Sequence, residues 1–102
     1  MKFTVTTSKH GLANFQVTVN GFIISVAMGP NQYSDAKPLV SCDSMVGFTA
    51  TEVEFAVMRD SDHKFVTRKA WWDCFGEDLT DDVAGWRDPS GLFKLVEWAE
   101  NQ

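Results

Sequence analysis

Histidine, cysteine, proline and tyrosine are scarce in this 102-residue chain, with two, two, three and one copies. The two cysteines, Cys42 and Cys74, are far apart, and the N-terminal residues carry no continuous apolar stretch that would serve as a signal peptide. Free thiols and a cytoplasmic location are therefore the expectation. His10, His63, Cys42 and Cys74 show no pair at the short spacing of zinc sites, so no metal or other cofactor is expected. The same scarcity leaves little material for a nucleophile, base and orienting group that meet in space. There is no phosphate-binding glycine loop and no nucleophile elbow, so the chain reads as non-enzymatic. Asp60-Ser61-Asp62 resembles the start of a calcium loop but lacks its later ligands, and reads better as a turn. No apolar run approaches the length of a membrane span.

Bases are few in the second half. Residues 52–102 carry twelve acids and six bases, against two acids and three bases in residues 1–51, and the net charge is −5. That balance argues against direct nucleic-acid binding and leaves a partner with a basic surface open. Apolar residues make up 44% of the chain, with eight Phe and four Trp, enough for one domain with a real core. An α+β fold is expected: an antiparallel sheet of about five strands, a meander plus a hairpin, with one C-terminal helix packed on a face.

The clearest stretch is Ala13 to Met28, two alternating runs around Asn20-Gly21. Asn-Gly suits a two-residue turn with positive φ at both positions. Pairing Val19 with Phe22 sets Val17 opposite Ile24 and Phe15 opposite Val26, six apolar residues on one face. Asn14, Gln16 and Thr18 then oppose Ala27, Ser25 and Ile23. A slip by one residue would mix the two sets. Lys2 to Thr7 alternates as a first strand, joined through a turn at Ser8 to Gly11. Glu52 to Met58 alternates with Val53, Phe55 and Val57 inward. Its expected hairpin partner is Lys64 to Arg68, across the loop Asp60-Ser61-Asp62, with Val57 opposite Phe65 and Phe55 opposite Thr67. Leu39 to Met45 reads as a short strand or an irregular return. Ala70 to Phe75 either extends a strand or begins a turn, and Gly76 breaks it. Val83 to Trp86 returns to the core. Asp88 as N-cap and Pro89 at the first position start a helix whose Leu92, Leu95, Val96 and Ala99 face the sheet.

Two stretches could carry a function. From Asp73 to Asp82 there are five acids and no base, with Phe75 and Leu79 among them and Trp72 just before. Exposed, this would be a protein-contact surface of Trp72, Asp73, Glu77, Asp78, Asp81 and Asp82, in which apolar anchors hold a partner and carboxylates steer a basic one. Otherwise it is a solvated loop whose aromatics point inward. The second stretch is the loop from Pro30 to Pro38, rich in turn residues. There Asn31 and the single tyrosine, Tyr33, could hold a nucleotide-like small ligand, or Tyr33 could lie on the core with its hydroxyl at the edge. A third possibility is self-assembly through an open sheet edge or the Trp cluster, so the expected state is a monomer or small homo-oligomer.

Three segments, Ile24 to Tyr33, Thr51 to Val57 and Val83 to Trp86, resemble small uncharacterised proteins encoded by tailed bacteriophages. The resemblance implies a viral accessory protein acting in the host cytoplasm. Many such proteins are small acidic inhibitors of host or defence proteins, anti-CRISPR proteins among them. The function it implies is inhibition of a bacterial nucleic-acid-handling protein.

Overall fold

A computed structural model describes residues 1–7, 13–29, 32–38 and 48–102. The turn read at Ser8 to Gly11, the segment Leu39 to Met45, and the positions His10, Asn31 and Cys42 lie outside the described residues.

The fold is α+β. Five antiparallel strands form one sheet in the order β1-β2-β3-β6-β7: β1 (Lys2–Thr7), β2 (Ala13–Val19), β3 (Phe22–Met28), β6 (Val53–Arg59) and β7 (Ala84–Arg87). A separate two-residue pair joins β4 (Lys37–Pro38) to β5 (Phe48–Thr49). The β2–β3 hairpin has the register its residues predict, with Val19 opposite Phe22, Val17 opposite Ile24 and Phe15 opposite Val26. Asn20 and Gly21 both take positive φ, 50° and 82°. Asn20 does more than turn the chain. Its side-chain amide donates to the carbonyls of Ala99 and Gln102, both at 2.9 Å, and so pins the end of the C-terminal helix to the hairpin.

Among the described residues there are two helices, not one: α1 (Thr67–Phe75) and α2 (Gly91–Glu100). Both pack on the face that carries Val17, Ile24, Val26, Val53, Phe55 and Val57. Between sheet and helices lie Ala70, Trp71, Leu95, Trp98 and Ala99, all buried. The helix starts two residues later than Asp88 as N-cap implies: Ser90 is the N-cap, and the Asp88 carboxylate instead accepts the Ser90 amide at 2.8 Å in the turn before it. The amides of Gly91, Leu92 and Phe93 each bond three residues back, so a tight turn precedes the helix proper.

The expected strand at Lys64 to Arg68 is the main correction. Only an isolated bridge joins Phe65 to Met58, so Phe65 does not oppose Val57 and stays largely exposed. The turn is closed by Arg59 and Lys64, with His63 at φ 56°. Beyond it the chain becomes α1 because Val66, Ala70, Trp71 and Cys74 form an apolar stripe at helical spacing. Gly76, left-handed at φ 65°, ends it by donating its amide to the Trp72 carbonyl. The backbone of β6 still needs partners beyond the reach of β7. Val66 donates its amide to the Val57 carbonyl at 2.8 Å, and the buried Thr67 hydroxyl accepts the Val57 amide at 2.8 Å. One backbone amide and one side chain thus satisfy Val57 in place of the expected strand partner. The fifth strand is β7, which pairs with the first part of β6.

Candidate functional site

β7 is short, and its sequence explains its shape. Val53 pairs with Arg87 and Phe55 with Ala84, so two residues, Gly85 and Trp86, stand where β6 has only Glu54. This bulge sets Trp86 at φ 58°. Asn20 and His63 also have positive φ, but Asn and His tolerate that region, whereas a bulky side chain there is strained by about 1–3 kcal/mol. Burial does not offset the strain, because Trp86 is 53% exposed.

Tyr33 lies beside it, also 53% exposed. Its carbonyl accepts the Trp86 amide at 2.8 Å, and its amide donates to the Glu54 carboxylate at 3.2 Å. The flanking residues hold the loop in place. The buried Ser34 hydroxyl accepts the Gly29 and Ala36 amides. Asp35 accepts the Thr51 and Glu52 amides and the Thr51 hydroxyl, which hold its carboxyl below the usual range. Gly85 is what admits Tyr33: a Cβ there would fall 2.4 Å from the Tyr33 Cβ. Tyr33, Leu79, Thr80, Asp81, Val83, Gly85, Trp86 and Arg87 line a shallow cleft of about 240 Å³.

The six residues of the expected acidic surface divide. Glu77 is structural: Arg87 grips its carboxylate with two hydrogen bonds, at 2.6 and 2.8 Å, and the Trp71 indole donates at 2.9 Å. These donors, Arg87 first, lower the Glu77 pKa. The Arg87 guanidinium also lies over the Trp71 ring, 5.3 Å from its centroid. Asp73 is likewise engaged, accepting the Trp98 indole at 2.9 Å and pairing with Lys69 at 3.0 Å. The indole first and then Lys69 hold its carboxyl below the usual range. Asp73 and Glu77 therefore tie the two buried tryptophans to the molecular surface.

Asp78 pairs only loosely with Arg68, at 3.7 Å, while Asp81 and Asp82 are exposed. Trp72 is 58% exposed and shares a stripe of α1 with Arg68, four residues before it. Arg68 in turn reaches Asp78. Leu79 is buried and Phe75 packs on Trp71 at a tilt, with centroids 4.3 Å apart. The aromatics of this stretch thus point both ways.

Trp86 was not among the residues expected to form a site. In the sequence it reads as the end of a return to the core, and only the bulge turns it outward. Of the two expected site stretches, one contributes Tyr33 and the other Asp81, and the fold brings them into one cleft. Burial raises the Cys74 thiol pKa, which favours the protonated form. Among the described residues no group of three His, Cys, Asp or Glu side chains could hold a metal ion, and no helix is long and apolar enough to cross a membrane. No known protein family, curated protein or solved structure matches the chain.

Proposed function

We propose that the protein is a small non-enzymatic interaction protein that binds a partner with a basic surface through Tyr33 and Trp86 beside Asp81, with exposed Trp72, Asp78 and Asp82 as further contacts. The observation that carries this reading is Trp86, a large aromatic held in a strained backbone conformation and left exposed. Strain that no packing offsets is a feature of sites that act on something else. Tryptophan and tyrosine are favoured anchors in protein interfaces, and the backbone bonds to Tyr33 hold the pair ready, which lowers the ordering cost of binding. The less engaged carboxylates supply long-range attraction to a basic partner.

In the form motivated by the resemblance to bacteriophage proteins, the partner is a bacterial host or defence protein that handles nucleic acid, and binding inhibits it. A nucleotide-like ligand held by Tyr33 is the weaker reading. The cleft, at about 240 Å³, falls below the usual range of small-molecule sites, roughly 300–1,000 Å³.

The test is a tagged pull-down from bacterial lysate at low and high salt, with Trp86→Ala/Tyr33→Ala and Asp78→Asn/Asp81→Asn/Asp82→Asn variants as controls. One partner is expected, lost with the aromatic variant at any salt and weakened by the acid variant at low salt. A partner retained by both variants would sink this reading. A nucleotide-like molecule released on denaturation would favour the small-ligand reading.

A further inference from the structure

The opposite edge of the sheet points to a second interface. Among the described residues the outer side of β1 pairs with no strand. The two-residue turn makes Val19 and Phe22 a mutually hydrogen-bonded pair, and alternation along β2 then directs the backbone groups of Asn14, Gln16 and Thr18 towards β1. They meet Thr6, Thr4 and Lys2. The N–H and C=O groups of Phe3, Val5 and Thr7 are consequently aimed away from the sheet.

On the helix-bearing face, Phe3 and Val5 continue the core beyond the cover of α2. Phe3 stacks on Phe15 with centroids 5.5 Å apart. Met1, Phe3, Phe15, Val17, Leu92, Phe93 and Val96, with Glu97 and Glu100 at the rim, line an apolar groove of about 420 Å³. Met1, Phe3, Val5 and Phe93 are 65 to 76% exposed. A regular edge strand with exposed apolar side chains is a template for another strand.

We propose that β1 pairs antiparallel with β1 of a second copy, about a two-fold axis through Thr4, so that one sheet runs across a dimer. In this register Phe3 lies opposite Val5 of the second copy, Thr4 opposite Thr4, and Lys2 opposite Thr6. Apolar groups meet apolar groups, no like charges face each other, and the outward N–H and C=O groups of Phe3 and Val5 bond in pairs. The four exposed apolar side chains offer roughly 500 Å² per copy, so the pair can remove at most about 1,000 Å², the size at which specific interfaces begin. Growth stops at two copies because the other edge is short, bulged and covered by the Tyr33 loop.

Sedimentation equilibrium of the full chain from micromolar to millimolar concentration tests this. The unmodified protein should show a concentration-dependent monomer–dimer equilibrium. Val5→Pro removes an outward N–H without touching a bond to β2, and should be monomeric with an unchanged circular dichroism spectrum. Thr6→Glu, facing Lys2 of the second copy twice per dimer, should tighten the dimer several-fold at low salt. Thr6→Lys should loosen it by a similar factor. A monomer at every concentration, open-ended oligomers, or a dimer indifferent to charge at Thr6 would overturn the proposal. The Thr6 pair decides the matter even if Val5→Pro fails to fold.

Discussion

The two edges of the sheet solve the same problem in different ways. At β7 the edge is four residues long, broken by a bulge and bonded through the Trp86 amide to the Tyr33 loop. Next to it, the Thr67 hydroxyl and the Val66 amide satisfy Val57, and Arg59 bonds Lys64 across the turn. At β1 the edge is six residues long and regular, with Phe3 and Val5 exposed. The guarded edge concentrates the strain, the ion pair of Glu77 with Arg87, and the close approach at Gly85. The open edge carries none of these. An edge that is closed by side chains and loops can hold an aromatic residue in a costly conformation. An edge that is merely alternating offers backbone groups and apolar surface to whatever strand arrives.

If this contrast is right, substitutions at the guarded edge should cost stability, and matching ones at the open edge should not. The largest effect is expected for Gly85→Ala. A methyl group 2.4 Å from the Tyr33 Cβ forces strand and loop apart, at a cost of about 1–3 kcal/mol in chemical denaturation. An unchanged midpoint would show that Tyr33 is not seated there. Thr67→Val keeps the shape but leaves the Val57 amide buried without a partner, and should cost about 1–3 kcal/mol. Native-state hydrogen exchange at Val57 should accelerate in parallel.

Trp86→Gly runs the other way. Glycine accepts φ 58° without strain, so stability should hold or rise by up to about 1 kcal/mol, while partner capture is lost. A clear loss of stability would mean that the ring supports the fold. Acid should distinguish the edges as well. The folded-state pKa of Glu77 lies below its ordinary value, so its contribution is complete above the ordinary carboxylate range and disappears as the pH falls through that range to the lowered value. Glu77→Gln should flatten this part of the acid-unfolding curve, read by tryptophan fluorescence. The smallest effect is expected for Val5→Thr, which alters an exposed position on a strand that Thr suits. Measured on the monomer at low concentration, it should change stability by less than about 0.5 kcal/mol.

The elements that could be read from the sequence share one property: their signals are local. The Asn20-Gly21 hairpin, β1, the core face of β6 and the stripe of α2 each follow from residues within a turn or a strand length. The Lys64 to Arg68 segment departs from the expected strand for the same reason. Phe65 and Thr67 alternate locally, but Val66, Ala70, Trp71 and Cys74 make a longer stripe, and burying that stripe on β6 outweighs the short alternation. Of the acidic surface, Asp78, Asp81 and Asp82 are exposed, and so is Trp72, whose direction the composition leaves open. Asp73 and Glu77 are not free because Trp98 and Trp71, distant in sequence or buried, present their indole N–H groups to them.

Sequence alone determined the α+β class, the register of the central hairpin and the uneven distribution of charge. Each depends on side-chain period or on a count, and none of the three needs knowledge of distant partners. The tertiary structure decided which carboxylates are spent on Arg87, Lys69 and the tryptophans, that Tyr33 and Asp81 share a cleft, and that Trp86 turns outward. Those outcomes depend on a one-residue mismatch between β6 and β7 and on a loop seated over Gly85. Both are long-range packing choices, made only when the strands are already side by side.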